Sequence, residues 1–444
     1  MIVIDTLRAD RLGANGNPNG LTPFLDSLAQ RGSLFKNAYA QSSWTNPSVA
    51  TLMTSRYPSQ HHVASFWAVL GEDEVTLAEV LQQHGYATGA FIANFLLRKD
   101  FGFAQGFDQY QTYSHREDDD PEKPRFVKER AERIDHEALA WLDQLQQHRA
   151  RAPVFLYMHY MEPHNPYSPD ATYLDRVLDG RPRPERGEVN RRMLFPNLGV
   201  FPEEMVQNVK DLYDAEVMSL DAALRSFFSA LDERRFLDNC IVVVTADHGE
   251  EFQEHGLMGH HQTLYDEVLR VPLIFLVPGH ATGAAIDPIV SLTDVAPTLL
   301  DLAGVPSPLS FEGGSLRGVM GVSRESWWPF GQRHDEVVSG RLPATGVAFS
   351  ELIMDGERLR PHERAVITAS SKVIADVGGE REFYDLNADR SEKDPHALDP
   401  EARARLAAYL ADFEAHTAGR AAPAATRSVD DDTKERMRAL GYHE

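Results

Sequence analysis

Short apolar runs and helix-period stripes alternate along most of the chain. Ile2-Val3-Ile4, Leu34 to Ala40, Ala87 to Ala93, Pro153 to Met161, Cys240 to Ala246 and Val271 to Val277 are unbroken enough to bury both faces of a strand. Between them, Pro23 to Arg31, the run behind Asn46, Leu77 to His84 and Val127 to Gln147 carry helical spacing. That alternation is the rhythm of βαβ units, and it predicts an α/β fold with a large, mostly parallel sheet flanked by helices. Met205, Val209, Leu212, Val217, Leu220, Leu224, Phe227 and Leu231 share one side of a long helix from Pro202, which reads as core packing. A further helix runs from Asp294 to Leu302 and closes on Gly304. After Pro306 the pattern turns irregular, and a boundary is expected near residue 330. Strand-like Val347 to Leu352, Ala365 to Val377 and Glu382 to Tyr384, with a helix from Glu401 to His416, make a second unit over 331–417. Residues 418–444 read as a polar linker and a short terminal helix from Lys434 to Tyr442.

Three of the apolar runs stop on polar groups. Asp5 ends the first, Asp247-His248 ends the run from Cys240, and His159 to His164 closes the run from Pro153. Ligand groups gather where parallel strands end, so these turns can share one crevice. Two carboxylates and an imidazole suit a divalent cation, with Zn²⁺, Mn²⁺, Mg²⁺ and Ca²⁺ all open; each Asp read alone is a strand-end turn or a cap. Asn46-Pro47 reads as the N-cap and first position of a helix, which sets Thr45 just outside a helix N-terminus. Free N–H groups there favour an anion such as a phosphoryl or sulfuryl oxygen. A threonine hydroxyl needs a base or a cation to become a nucleophile, and a metal beside Thr45 would serve; otherwise Thr45 belongs to a capping segment.

Composition changes this picture in a few places. A formal charge of −23 over 444 residues argues against a general binder of nucleic acid or of anionic membrane surfaces. No run approaches the roughly 18–20 apolar residues that cross a bilayer. The one cysteine precludes an intrachain disulfide, and Cys240 reads as a buried thiol. Glu117 to Asp120 reads as a solvated acidic loop, and Arg176 to Arg192, with its arginines, prolines and glycines, as a surface excursion or a lid over an anionic substrate. His61 and His62 read as loop residues. Met1 opens directly on a core strand, so localisation is not readable, nor is the oligomeric state.

These residues carry a resemblance to the sulfatase family of the alkaline phosphatase superfamily. It runs through Ile4 to Gly13, Thr22 to Asp26, Thr45 to Val49 with Thr54-Ser55-Arg56, Pro163-His164-Asn165-Pro166-Tyr167, Thr245 to Glu250, Leu264 to Glu267, Arg270 to Leu273, Thr293 to Leu300 and Phe383 to Leu386. The resemblance implies an alkaline-phosphatase-like sandwich with a small antiparallel C-terminal subdomain. It also implies one divalent metal rather than two, held by Asp5, Asp247 and His248 with Thr6, and an anionic ester as substrate. Thr45 then falls on the nucleophile, His164 on a contact to substrate or leaving group, and Asn94 and Arg56 on substrate-binding positions.

The departures from the family pattern shift the expected chemistry. Family members use a formylglycine made from Cys or Ser, whereas oxidation of Thr45 would give a ketone. Val49 replaces an Arg, Asn94 falls near a Lys, Leu96 near a His, and His260 where a Lys precedes the Tyr-Asp element; His260 is therefore a further catalytic candidate. A Thr nucleophile with an Asp-His turn is similar to the phosphodiesterase and phosphotransferase branches. The expected function is a metal-dependent hydrolase of phosphate esters, diesters foremost, or of sulfate esters. A sulfatase without formylglycine, a phosphotransferase on lipid or glycan head groups and a non-catalytic metal-binding member of the fold remain open.

Overall fold

The computed structural model describes residues 1–113, 128–148, 152–193, 200–323, 346–353, 362–376, 378–379, 381–395, 398–418 and 426. The first strand, β1 (Ile2–Ile4), is three residues long and fully buried, and it sits at the centre of the large sheet. Around it lie β2 (Ser33–Tyr39), β3 (Ala87–Ile92), β4 (Gln109–Thr112), β5 (Val154–Tyr160) and β6 (Val242–Ala246). A two-stranded hairpin follows, β7 (Glu251–Phe252) with β8 (Met258–Gly259), then β9 (Arg270–Leu276), β10 (Ala284–Ile286) and β11 (Val290–Ser291). The order across the sheet is β10-β2-β9-β6-β1-β5-β3-β4, with β11 also on β2.

All pairings in the large sheet are parallel except those of β9, which runs antiparallel between β2 and β6. The predicted α/β sheet is therefore present, with one reversed strand. Ile4 lies opposite both Tyr160 and Ala246, so the chain leaves three adjacent strands at one level, as Asp5, Met161 and Asp247. That register is what brings the polar turns together.

The predicted helices are found with shifted ends: Pro23–Arg31 (α1), Leu77–Gln83, Ala131–His148, Glu203–Glu233 and Val295–Ala303, the last capped by left-handed Gly304. The helix after Ser43, α2, needs a correction. It spans Thr45–Thr54 with extended Trp44 as N-cap, so Asn46 is not the cap and Thr45 lies inside the first turn. Residues 176–192 are more ordered than a loop, with helices Ala171–Leu178 and Arg186–Met193. Arg181 is paired with Asp211 and Arg183 with Asp175, which leaves neither free for an anion. His61 ends a short helix and is buried, with its Nε2 3.2 Å from the Thr51 hydroxyl. Cys240 precedes its strand and is only half-buried.

The C-terminal strands β12 (Val347–Leu352), β13 (Glu363–Thr368), β14 (Ser371–Asp376) and β15 (Arg381–Asp385) form an antiparallel sheet in that order. The stretch predicted as one strand, Ala365 to Val377, is a hairpin over its described residues, to Asp376. Helix Pro400–Thr417 covers this sheet, with the Asp399 carboxylate accepting from the N–H groups of Glu401 and Ala402 as its cap. Phe349 stacks on Phe413 at 4.7 Å, and Tyr57 meets both edge-on. The Glu351 N–H donates to the Gln41 carbonyl at 2.8 Å and the Ser350 hydroxyl to that of Ala40 at 2.6 Å. The small sheet therefore braces the segment that leads into Thr45. No helix among the described residues is long and apolar enough to cross a membrane. The boundary expected near 330, the Glu117 to Asp120 loop and the helix from Lys434 lie outside the described residues.

Candidate active site

Asp5 and Asp247 reach the site because β1 and β6 are neighbours in register, and both side chains are fully buried. Thr6 follows in a left-handed conformation (φ 57°), which costs a β-branched residue energy and turns the chain sharply after Asp5. Gly249 has a different constraint: a Cβ there would lie 2.0 Å from the Glu267 carbonyl oxygen, so the turn after His248 admits no side chain. His248 is held through its Nδ1, 2.9 Å from the Gly249 carbonyl, which leaves Nε2 for the site. That Nε2 lies 3.6 Å from Asp5 Oδ1, 3.6 Å from Asp247 Oδ2 and 3.3 Å from Thr45 Oγ1.

Asn94, at the end of β3, donates from Nδ2 to Asp5 Oδ2 at 2.6 Å and lies 3.5 Å from Thr45 Oγ1. The Ser48 hydroxyl donates to the Asp247 carbonyl at 2.5 Å, tying the first turn of α2 to the second acidic turn. His159, which opens the polar end of the run from Pro153, is 3.4 Å from Asp5 Oδ2 through Nε2, with Tyr157 OH 3.0 Å from its Nδ1. Glu162, in the same segment, accepts instead from the Ala131 N–H at 3.1 Å. His164 and His260 do converge on the site: the His260 ring lies 4.6 Å from that of His248 and 5.1 Å from that of His164. Arg56 instead turns its guanidinium to the Glu74 carboxylate.

The electrostatics are those of carboxylates crowded out of water. Burial and the Asp5 charge push the Asp247 carboxyl up to about 6. Burial also raises Asp5, but the imidazoles of His164, His159 and His248 outweigh it and hold that carboxyl below its usual range. Burial lowers His248, yet Asp247 and Asp5 bring it above the ordinary imidazole value. Burial takes His164 down to about 4 and His260 well below its ordinary value, the latter helped by His248.

Asp5 Oδ1, Asp247 Oδ2 and Thr6 Oγ1 are buried atoms without a hydrogen-bond partner. Ligand atoms of Asp5, Asp247 and His248 lie within 4.8 Å of one another. Buried carboxylates with unused lone pairs are costly unless a cation meets them, so this donor set fits a divalent metal. Oxygen and imidazole donors leave Ca²⁺, Mg²⁺, Mn²⁺ and Zn²⁺ all compatible.

Sequence reasoning passed over Glu250. Its Oε1 lies 2.9 Å from His260 Nδ1, and burial pushes its carboxyl up to about 7. Its place directly after Asp247-His248-Gly249 was visible, but the hairpin that sets it opposite His260 was not.

A family model described as Sulfatase matches residues 1–305. The chain is similar to iduronate 2-sulfatase of Mus musculus, at 26% identity over 387 residues covering 69% of this chain and 69% of that protein. It is similar to the arylsulfatase of Clostridium perfringens at 25% identity, covering 74% of this chain and 79% of that one. Among solved structures, the phosphonate monoester hydrolase of Agrobacterium radiobacter shares the fold with a TM-score of 0.73 at 21% identity, over 94% of this chain and 95% of that one.

Proposed function

The chain belongs to the sulfatase family of ester hydrolases, and on that premise we propose that it cleaves an ester carrying a single negative charge, a phosphate diester ahead of a sulfate, with Thr45 as the nucleophile. A divalent metal held by Asp5, Asp247 and His248, with Thr6 beside them, would supply the Lewis acidity that makes a threonine alkoxide accessible near neutral pH.

The observation that carries the choice of substrate is the charge of the site. Asp5 and Asp247 stand against His248, which meets Thr45, and Glu250 stands against His260; among the described residues no lysine or arginine side chain pairs with Asp5 or Asp247. Lys128 reaches the His164 carbonyl but is neutralised by Glu216 at 3.0 Å; Arg8 reaches the Glu250 carbonyl but is neutralised by Asp10 and Glu254. A divalent metal would offset Asp5 and Asp247 and leave no further cationic side chain for the second charge of a phosphate monoester, whereas a diester or a sulfate carries one charge less. Sulfate remains the second reading because the similar curated proteins are a sulfatase and an arylsulfatase.

The residues divide the work as follows. Thr45 Oγ attacks phosphorus in line, oriented by His248 Nε2 and Asn94 Nδ2. The N–H groups of the first turn of α2 face the equatorial oxygens, where helix termini favour anions. The departing alcohol takes a proton from His164 or His260, and water then resolves the phosphoryl ester of Thr45. Residues 1–330 would form the catalytic unit and 331–417 its bracing subdomain.

The test uses metal-supplemented protein and three p-nitrophenyl substrates, a phosphate diester, a phosphate monoester and a sulfate. The diester should turn over fastest, Thr45→Ala should abolish turnover with the fold intact, and quenched wild-type protein should carry the transferred group on the peptide containing Thr45. Undiminished activity in Thr45→Ala would sink the nucleophile; a preference for sulfate would sink the phosphate assignment.

A further inference from the structure

His255 stands in the turn of the β7–β8 hairpin, Glu267 in the short helix Asp266–Leu269 that leads into β9, and Glu392 beyond the end of β15. One ligand atom from each, an imidazole nitrogen and two carboxylate oxygens, lies within 4.8 Å of the other two. We propose that these three residues form a second divalent-cation site, distinct from the one at Asp5, Asp247 and His248, which takes an ion of the Zn²⁺ or Mn²⁺ type and clamps the C-terminal subdomain to the large sheet. The His255 side chain is only 7% exposed, and its Nδ1 is a buried atom without a hydrogen-bond partner, as is Glu267 Oε2. These two atoms are 3.8 Å apart. That is too long for a hydrogen bond, and close to the roughly 3–3.6 Å between two donors that each stand about 2.1 Å from one ion.

The imidazole is presented as a ligand. Its Nε2 lies 3.1 Å from the Ser391 carbonyl oxygen and 3.2 Å from that of Glu392. Carbonyls only accept, so Nε2 carries the hydrogen and the Nδ1 lone pair is turned toward Glu267; ligating histidines are commonly held this way by their other nitrogen. The Tyr265 ring stacks on His255 at 3.6 Å, and the His255 N–H donates to the Glu251 carboxylate at 2.9 Å, which fixes both ring plane and backbone. An ion pair between an imidazolium and Glu267 is the rival account of the cluster. Burial, followed by the charge of Lys393, takes His255 down to about 4, so the ring is neutral near neutral pH and offers a lone pair instead of a charge.

The Glu392 side chain is fully buried, and its backbone adopts a left-handed φ of 54°, which a non-glycine residue holds only where its surroundings require it. Lys372 Nζ is 2.6 Å from its Oε1, and the Asp266 N–H donates to its Oε2 at 2.9 Å. A carboxylate has about four lone-pair sites, so each oxygen keeps one for an ion. The cations nearby are already paired. Lys372 answers Glu392, Arg270 and Arg390 face Asp266 at 3.6 and 3.7 Å, and Arg8, which acts on Glu267 from a distance, is held by Asp10 and Glu254. Among the described residues no lysine or arginine pairs with Glu267, whose carboxyl burial pushes up to about 7. A buried carboxylate without a counter-charge is unfavourable, and a cation between it and His255 relieves it. The lysine beside Glu392 makes the site poor for a hard ion that relies on carboxylates alone, and the imidazole favours Zn²⁺ or Mn²⁺. A cavity of about 300 Å³, lined by Arg8, Asp266, Glu267, Arg270, Arg390 and Ser391, borders the cluster and gives an ion its way in.

The experiment titrates Zn²⁺ calorimetrically into the metal-stripped full chain and into its Asp247→Asn, His255→Gln and Asp247→Asn/His255→Gln forms. The substitution His255→Gln keeps a donor for the Ser391 and Glu392 carbonyls but removes the imidazole. The wild type should take two equivalents, Asp247→Asn should keep the one that His255→Gln loses, and the double variant should bind neither. Loss here means affinity weakened at least about tenfold, since even a partner that only orients a ligand is worth about 10–100-fold. Zn²⁺ should also raise the melting temperature of Asp247→Asn and leave that of the double variant unmoved, because an ion bound only to the folded state stabilises it. Should His255→Gln not fold, Glu267→Gln must abolish the same equivalent. A second equivalent that survives His255→Gln or Glu267→Gln, or a wild type that binds one ion only and loses it in Asp247→Asn, overturns the proposal. The catalytic reading fails separately: a single equivalent kept by Asp247→Asn and lost in His255→Gln upholds this site and removes the ion from beside Thr45.

Discussion

Asn94 does the most with the fewest atoms. One amide nitrogen bridges Asp5 at 2.6 Å and Thr45 at 3.5 Å, so the orientation of a ligand carboxylate and the placement of the nucleophile depend on the same side chain. Its own carbonyl is pinned by the Leu96 N–H at 2.8 Å, which fixes the amide's direction. Partners that orient a ligand typically matter by about 10–100-fold in metal affinity. Asn94→Ala should therefore weaken binding of a divalent cation by about that factor, measured by titrating metal into metal-stripped protein, with melting temperature as the control for the fold. Unchanged affinity would mean Asp5 needs no orienting partner. The sequence offered Asn94 only through a resemblance, as the residue standing near a family lysine. Nothing local to Phe91-Ile92-Ala93-Asn94 foretells a contact with Asp5, because the two meet across β5, which lies between β3 and β1. Asp5 and Asp247-His248 were legible for the opposite reason: each directly follows a run of buried strand, and strand ends are places the sequence marks.

At the scale of the element, the helix Ala131–His148 is tied to β5 by one buried hydrogen bond, from Tyr160 OH to Asp135 Oδ1 at 2.5 Å. Burial pushes the Asp135 carboxyl up to about 8, only partly offset by the tyrosine and reinforced by Glu162. The sign follows from proton counting. Between the unfolded value near 4 and about 8, the folded state holds a proton that the unfolded state has lost, so stability falls as pH rises through that window. The slope from this one group is at most about 1.4 kcal/mol per pH unit. Asp135→Asn should flatten that part of the curve, read from denaturant midpoints between about pH 5 and 8; an unchanged slope would exclude Asp135 as its source. Element types were largely legible from periodicity, whereas partners and directions were not. The run Val271 to Val277 reads as one more core strand, and only the structure shows that it runs against its neighbours. The start of α2 misled for a related reason. Asn46-Pro47 has the local chemistry of a cap and first turn, but the Ser48 hydroxyl's bond to the Asp247 carbonyl accompanies a helix that begins earlier, at Thr45. Long-range contacts outvote local propensity there.

The whole molecule is held together by charge as well as by apolar packing. Lys372 on β14 is fully buried, its ammonium 2.6 Å from Glu392 Oε1 and 3.6 Å from Asp266 Oδ1, while the Asp266 N–H donates to Glu392 Oε2 at 2.9 Å. Asp266 begins the short helix leading into β9, so this cluster fastens the small sheet to the large one. Removing one partner of a buried pair leaves the other uncompensated, at about 3–5 kcal/mol. Lys372→Met should cost that much in denaturant unfolding, and a loss under 1 kcal/mol would show that the apolar contacts around Phe349 and Phe413 suffice to hold the small sheet. Charge also acts at longer range. With a formal charge of −23, the molecule repels the anionic ester its site is read to accept, and the surface part of that repulsion is screened over about 8 Å at physiological ionic strength. The usual salt dependence of a charged encounter is thereby inverted: kcat/KM for a singly charged ester should rise as salt is raised from about 20 to 200 mM. The change should lie in KM, because the buried contacts around Thr45 are screened far less than the surface. A fall with salt would instead reveal a local positive path to Thr45 that overrides the net charge, and the preference for singly charged esters would then need another cause.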